Sequence, residues 1–378
     1  MNGPFTNGPS VREIAQMLRP HAESIALRVF PAARRDGAFL CVGSIHGEPG
    51  SSLKIRRTGP DAGNWADYAM AKGTPGAGGD LIDLLQHTIC NGDKAAAVQE
   101  AKRFLSIDSM DPAKLHRHRQ QAAKAIERNR QRDMEDKETS RRQAEGLWHS
   151  SSILTPSSPP VLYLQGRGID LRQLGKMPGA IRFQPEMYHA QLERKVPAMV
   201  TKFQLGAMHA ATHVTFLHRH GDGRWTKLPL SLAEPLGIRA KDFRLKQING
   251  PAYTLRAHIP LWKGDTRGKL DDIPPGTPVE CSEGIEDGLS YAMANPGARV
   301  IAGGTLGIIG VLQLPPQAGD FNVLAQNDTN PEPIASLEDA VRKQQAAARE
   351  DGSGRTVACR WPPQEYKDWN DWLRGVKR

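Results

Sequence analysis

Residues 279–330 read VECSEGIEDGLSYAMANPGARVIAGGTLGIIGVLQLPPQAGDFNVLAQNDTN, and the order of apolar runs and polar turns in this stretch decides the fold. Val279-Glu-Cys281 is a short β-like run ending in an acidic turn, and Gly288 to Ala294 carries a helical pattern. Ala298 to Ala302 is a second such run, ending in Gly303-Gly304-Thr305. Phe321 to Ala325 is a third, ending in Asn327-Asp-Thr-Asn330, and Thr356 to Cys359 is a candidate fourth, followed by Lys367-Asp-Trp-Asn-Asp371. Strands that alternate with helices imply a parallel sheet whose site lies at the carboxyl ends of the strands. The informative polar residues all fall at those ends. A helix starting directly after the first strand would put Glu283 and Asp287, four apart, on one face. Carboxylates gathered there supply the hard oxygen ligands that Mg²⁺ takes, whereas any one of them alone is as well explained as a helix cap.

Working outward, the chain of 378 residues has room for two or three domains, and its hydrophobic fraction of 39% permits an ordinary core. Its net charge of +9 favours a polyanionic partner. The surplus is local. Residues 1–110 carry 12 basic and 11 acidic side chains, and 111–148 carry 10 and 7. Residues 149–278 carry 18 and 9, whereas 279–378 carry 10 and 14. A basic block beside an acidic one fits phosphate gripping next to cation holding. Four scattered cysteines and an N-terminus without signal-peptide features point to a reducing cytoplasm. The longest apolar stretch, Val300 to Leu314, contains four glycines and is too short for a membrane helix.

Residues 10–110 read as a small α/β module. Ser10-Val-Arg-Glu13 fits a capping box; Ala38 to Val42 and Ser52 to Arg56 are β-like, and Gly78-Gly79-Asp80 leads into a helix at Leu81. From Asp111-Pro112 to residue 148 the sequence predicts a long polar helix, read as a solvated spacer. Ser151 to Pro160 has linker composition, and 161–278 mixes β-like segments such as Ala198 to Thr201 and His213 to Leu217 with turns such as Gly221-Asp-Gly223.

Glu283-Gly284 with Asp287, then Gly304-Thr305, then Asp328-Thr-Asn330, then Lys367-Asp368 resembles the Toprim domain of bacterial-type primases, topoisomerases and some nucleases. The likeness is nearest to the primases of bacteriophages and mobile elements. Tyr163-Leu-Gln-Gly-Arg-Gly168 is similar to the tract that opens their basic polymerase subdomain, and Gly78-Gly79-Asp80-Leu-Ile-Asp83 to the end of their N-terminal zinc-binding module. The resemblance implies an α/β protein in four parts: a zinc-module-like domain (1–110), a charged helical connector (111–150), a mixed α+β basic subdomain (151–278) and a Toprim-type parallel sheet flanked by helices (279–378). It implies primer synthesis from ribonucleoside triphosphates on a single-stranded DNA template, with Mg²⁺ or Mn²⁺. Glu283, Asp287 and Asp328 would be catalytic, Glu283 assisting proton transfer. Glu283, Asp328, Asn330, Asp368 and Asp371 would hold metal, with Asp287 contributing. Arg167, Lys227, Gly304, Thr305 and Lys367 would contact nucleotide or DNA. Any helicase would be a separate protein, since no GxxxxGK[ST] motif occurs.

Two departures from the family pattern stand out. Asn330 replaces the second acid of Asp-x-Asp, which removes a charge from the metal site. Cys41 and His46 sit where the first zinc ligands would, but Asn64-Trp-Ala-Asp-Tyr68 replaces the later cysteine pair. His87 and Cys90 are the remaining candidates for a tetrahedral site; the expected outcome is a metal-free module that keeps its shape. Leu217-His-Arg-His220 reads as an exposed hairpin end, and Trp369 with Trp372 as one helix face packed on the sheet. The rival readings are a Toprim nuclease and a catalytically degenerate Toprim protein that binds DNA or a replisome partner.

Overall fold

The computed structural model describes residues 9–70, 74–107, 112–266 and 268–378. The described residues form a mixed α/β structure with three sheets, and the chain divides into two compact units, Met1–Asp136 and Lys137–Arg378.

In the first unit α1 (Val11–Leu18) starts at the Ser10 cap, whose hydroxyl and the Glu13 carboxylate satisfy each other's backbone N–H as the sequence predicts. After α2 (Ala22–Val29) come β1 (Arg34–Asp36), β2 (Phe39–Val42), β3 (Leu53–Arg56), β4 (Trp65–Asp67) and β5 (Gly78–Gly79), an antiparallel meander in chain order. Alternation along β3 turns Leu53 and Ile55 inward against Leu40, Trp65, Leu81 and Leu84. Asp80 caps α3 (Leu81–Thr88), and α4 (Lys94–Phe104) closes the layer.

Helix α5 (Pro112–Ser150) is 39 residues long. Its expected opening residue, Asp111, lies outside the described residues. The reading of a wholly solvated spacer fails for its last third. There Ala144 is buried, the Ala144 carbonyl accepts from Thr212 Oγ1 at 2.7 Å, and Arg141 Nη1 donates to the His209 carbonyl at 3.1 Å.

The second unit continues with β6 (Ser152–Ile153), α6 (Pro159–Gly166), β7 (Ile181–His189), β8 (Arg194–Leu205), β9 (Met208–Arg219), β10 (Trp225–Lys227) and β11 (Lys246–Asn249). This antiparallel sheet runs β10-β9-β8-β7-β6, with β11 also paired to β9 beside β10. The linker-like segment thus contributes a strand, because Ser152 and Ile153 pair with Phe183 and Arg182. The strands β8 and β9 are each 12 residues long, well beyond the apolar runs visible in sequence.

Then follow β12 (Ile259–Trp262), β13 (Thr277–Ser282), α7 (Ile285–Ala294), β14 (Arg299–Ala302), α8 (Leu306–Ile309), β15 (Ala318–Leu324), α9 (Pro331–Glu350), β16 (Val357–Arg360) and α10 (Trp369–Arg374). The sheet order is β12-β14-β13-β15-β16. Strands β13 to β16 are parallel, as the alternation predicts, but β12 joins β14 antiparallel, so the sheet is mixed and recruits a strand from before residue 279. Pro260 is tolerated there because an edge strand need not offer every N–H to the ladder. A backbone bridge between Gln204 and His258 links the end of β8 to the chain entering β12. Among the described residues no helix is long and apolar enough to cross a membrane.

Candidate functional site

The acids gather at the carboxyl ends of β13 and β15 and in the turn before α10. Glu283 follows β13 directly. Its position is pinned because the parallel ladder continues past the strand ends: Gly303 N–H donates to the Ser282 carbonyl and Gly304 N–H to that of Glu283, both at 2.9 Å. Helix α7 does not begin until Ile285, after an extended Gly284 cap, so Glu283 stands outside the helix. The expectation that Glu283 and Asp287 share a helical face is therefore corrected, and the two enter separate groupings.

Glu283 shares a small cavity with Asp328 and Gln326. Burial pushes its carboxyl above the usual range; the Lys246 ammonium works against this and the Asp328 charge adds to it. Asp287, in the first turn of α7, is almost completely buried. Gln326 Nε2 donates to its Oδ2 at 2.7 Å and the Asn370 N–H to its Oδ1 at 3.2 Å. Burial, followed by the charge of Asp368, pushes its pKa up to about 7. Two carboxylate pairs result, Glu283 with Asp328 and Asp287 with Asp368, and Gln326 spans them.

The supporting contacts are local and specific. Asp368 caps α10 by accepting from the Asp371 N–H at 2.8 Å, while the Asp371 carboxylate lies 3.9 Å from Arg374 Nη1. Asn327 clips the β15 turn to the turn before α10, donating through Nδ2 to the Tyr366 carbonyl at 2.9 Å and through its backbone N–H to that of Lys367 at 2.8 Å. Asn370, fully buried, donates to Ser290 Oγ at 2.9 Å and to the Arg167 carbonyl at 2.8 Å. Asn330 is exposed at the start of α9 and its side chain makes no capping bond. The Lys367 side chain is exposed.

Gly304 has φ +75° and is buried, with the Phe203 ring so near that an added Cβ would lie 2.8 Å from Cζ. The exposed Thr305 caps α8, its Oγ1 accepting from the Ile308 N–H at 3.2 Å. Arg167 is partly buried and its Nε has no hydrogen-bond partner. Lys227 has one: its Nζ lies 2.7 Å from Glu286 Oε1, which also accepts from Tyr163 Oη at 2.5 Å. Burial alone would raise the Glu286 pKa, but Lys227 and Tyr163 together hold it down at about 2.

Glu286 and Lys246 are the residues the sequence reading missed. Glu286 stands beside Asp287 and its partners lie in the Tyr163 tract and at Lys227, so their motif was in view without its pairing. Lys246 enters on β11, whose pairing with β9 brings it to Glu283. In the first unit Cys41 is buried in β2, and Trp65 fills the place of the expected cysteine pair: it packs edge-on to His87 and donates from Nε1 to the Asp80 carbonyl at 2.9 Å. Among the described residues no three His, Cys, Asp or Glu side chains are grouped to hold a metal ion. His220 is held by Thr226 at the β9–β10 hairpin end, and Trp369 packs edge-on to Tyr291.

A family model described as a domain of unknown function, DUF7146, matches residues 138–233. No curated protein matches the sequence. Among solved structures, the chain is similar to the primase fragment of the bacteriophage T7 primase-helicase protein, with 14% identity over 57% of this chain and 70% of that one and a TM-score of 0.33.

Proposed function

We propose that the Lys137–Arg378 unit is a Toprim-type nucleotidyltransferase that joins ribonucleotides on a single-stranded DNA template, making primers for phage or mobile-element replication. The observation that carries this reading is the grouping of Glu283 with Asp328 after β13 and β15, and of Asp287 in α7 with Asp368 before α10, with Lys246 of the neighbouring sheet bearing on Glu283. The donor set suits a hard divalent cation: the Asp328 charge raises the proton affinity of Glu283 and the Asp368 charge that of Asp287, the electrostatic condition that a cation relieves. Two carboxylates at a time are few, but Mg²⁺ keeps waters and substrate phosphates in its shell, so Glu283 and Asp328 with Asp287 and Asp368 would suffice. When bound, Mg²⁺ or Mn²⁺ supplies charge neutralisation at the triphosphate.

The chain's own residues divide the remaining work. Glu283, whose proton affinity is raised by burial, takes the proton of the attacking 3′-hydroxyl as that oxygen bonds the α-phosphorus of the triphosphate and pyrophosphate leaves. Lys246 faces Glu283 and meets the incoming phosphate, while Lys227 and Tyr163 fix Glu286 and hold the first turn of α7 in place. Asn370 ties α10 to that turn and to the Arg167 segment.

The test incubates the protein with single-stranded DNA, labelled ribonucleoside triphosphates and Mg²⁺ or Mn²⁺. Labelled oligoribonucleotides that vanish in Glu283→Gln are the expected result. Shortened DNA would make the chain a nuclease. Tight DNA binding with no product would make it a degenerate module, a reading favoured by the exposed, uncharged Asn330 and by the lack, among the described residues, of a cluster of three metal-ligating side chains.

A further inference from the structure

A second basic site lies at the opposite edge of the last sheet from β16. Trp148, Lys176, Lys202, Trp262, Lys269 and Arg299 contribute to a pocket of about 370 Å³, and among the described residues no carboxylate lines it. That volume falls in the roughly 300–1,000 Å³ range of small-molecule sites. The pocket is separate from the acids. Lys202 precedes Phe203 on β8 and so points to the face opposite its ring, which meets Gly304.

The pocket is built around charge. Arg299 is buried, its Nη1 fixed by the Gly268 carbonyl at 3.0 Å and Thr266 Oγ1 at 3.2 Å. Lys202 is partly buried, which pushes its ammonium pKa down, and the charges of Lys269 and Arg182 push it further. The acid that bears on Lys202 is Glu145, which already pairs with Arg141 at 2.9 Å, and the Asp272 acid near Arg299 caps the Lys269 N–H. Trp262 supplies a flat apolar wall, and Trp148, already stacked by the Arg182 guanidinium 3.5 Å from its centroid, closes the side. The Trp262 ring carries the Lys176 ammonium 5.2 Å from its centroid, and Trp148 carries Lys202 at 5.4 Å. Converging cations beside aromatic faces match an anion joined to a planar ring.

We propose that this pocket binds a nucleoside phosphate, its base against the Trp262 wall and its phosphate on Lys176, Lys202 and Lys269. The ligand is either a free nucleotide or one unit of a single strand, the chemistry being shared. The inference does not depend on the catalytic reading, so its test excludes divalent metal. In EDTA the full-length protein is titrated separately with ATP and with oligo(dT), following binding by calorimetry and anisotropy. The side chains of Lys176 and Lys269 are exposed, so Lys176→Ala/Lys269→Ala leaves the fold intact. Loss of two charged contacts should weaken binding about tenfold or more. If the weakening is in ATP binding, the ligand is a free nucleotide. Weakening confined to oligo(dT), with the salt slope reduced by about 0.7 for that one phosphate, makes it a strand unit. The control Lys195→Ala/Lys377→Ala, exposed cations elsewhere, should change neither. Unchanged affinity for both ligands in the pocket variant, or an equal loss in the control, overturns the proposal.

Discussion

Replacing Lys227 by methionine tests whether its charge is spent inside the protein or offered to a substrate. The Glu286 side chain is 13% exposed and has two donors, Lys227 Nζ at 2.7 Å and Tyr163 Oη at 2.5 Å. Lys227→Met leaves a buried carboxylate with one neutral donor. Removing one partner of a fully buried pair costs about 3–5 kcal/mol. Because the Lys227 side chain is 37% exposed, screening reduces this to about 2–3 kcal/mol. Glu286→Gln is the milder change: Tyr163 still has an amide oxygen to donate to, and the released ammonium reaches water, so the cost is about 1 kcal/mol. The double variant Lys227→Met/Glu286→Gln should then be more stable than Lys227→Met alone, with a coupling energy of about 1–2 kcal/mol.

The assay is urea unfolding at pH 7.5 followed by tryptophan fluorescence. Six of the seven tryptophans lie in Lys137–Arg378, so the signal reports mainly that unit. Additive single-variant costs, or a Lys227→Met variant as stable as the parent, would refute the reasoning and return Lys227 to the role of a phosphate contact.

Three further outcomes follow from particular residues. Gly304→Ala should destabilise by about 2 kcal/mol, since it adds a Cβ at positive φ against Phe203; Gly307→Ala, with ordinary space around it, should be neutral or slightly stabilising in the same thermal melt. His258 is buried with neither ring nitrogen hydrogen-bonded, and burial followed by the charge of Arg299 holds its pKa down at about 3. The unfolded state therefore binds the extra proton, so stability is fully present above pH 6.5 and falls as pH drops towards 3; parent minus His258→Leu stability should decrease by about 2–3 kcal/mol between pH 6.5 and 4.5. Asn330→Asp places a charge at the start of the 20-residue α9 and should stabilise it by about 0.5 kcal/mol; it should also lower the Mg²⁺ needed for primer synthesis, and an unchanged metal dependence would remove this turn from the metal site.

What was legible in the sequence was local. Alternating apolar runs and polar turns give β13 to β16 and their order of appearance, and the caps at Ser10 and Asp80 follow from side chains satisfying nearby N–H groups. Illegible were pairings made at a distance. Tyr163 and Glu286 are 123 residues apart, and nothing in either local sequence announces the bond. The antiparallel β12 edge was missed for the same reason: a four-residue run containing proline has no periodicity to mark it, and its partner β14 makes it a strand. Glu283 lies at a strand end as expected, but it shares no helical face with Asp287, because an extended Gly284 delays the helix and turns each acid to a different neighbour.

The distribution of charge sharpens what a phosphate would meet at the strand ends. The central basic block looked like a single phosphate platform, yet its cations serve different surroundings. Lys227 neutralises Glu286, Lys202 and Lys269 point into the pocket by Trp262, and Lys246 bears on Glu283. Against Lys246 stand Glu283, Asp328, Asp287 and Asp368, and the hydrogen-bond donors to Asp287 are the neutral Gln326 and Asn370. A triphosphate approaching these four carboxylates would be repelled, by about 1 kcal/mol per pair of charges even at 4 Å in bulk water and by more where water is excluded. Binding of an anionic substrate at this place therefore requires added positive charge, which a divalent cation held by these acids would bring. The nucleotide pocket carries the opposite field and needs none. Metal dependence should thus separate the two sites: nucleotide binding at the pocket persists in EDTA, whereas incorporation at the strand ends is abolished by it.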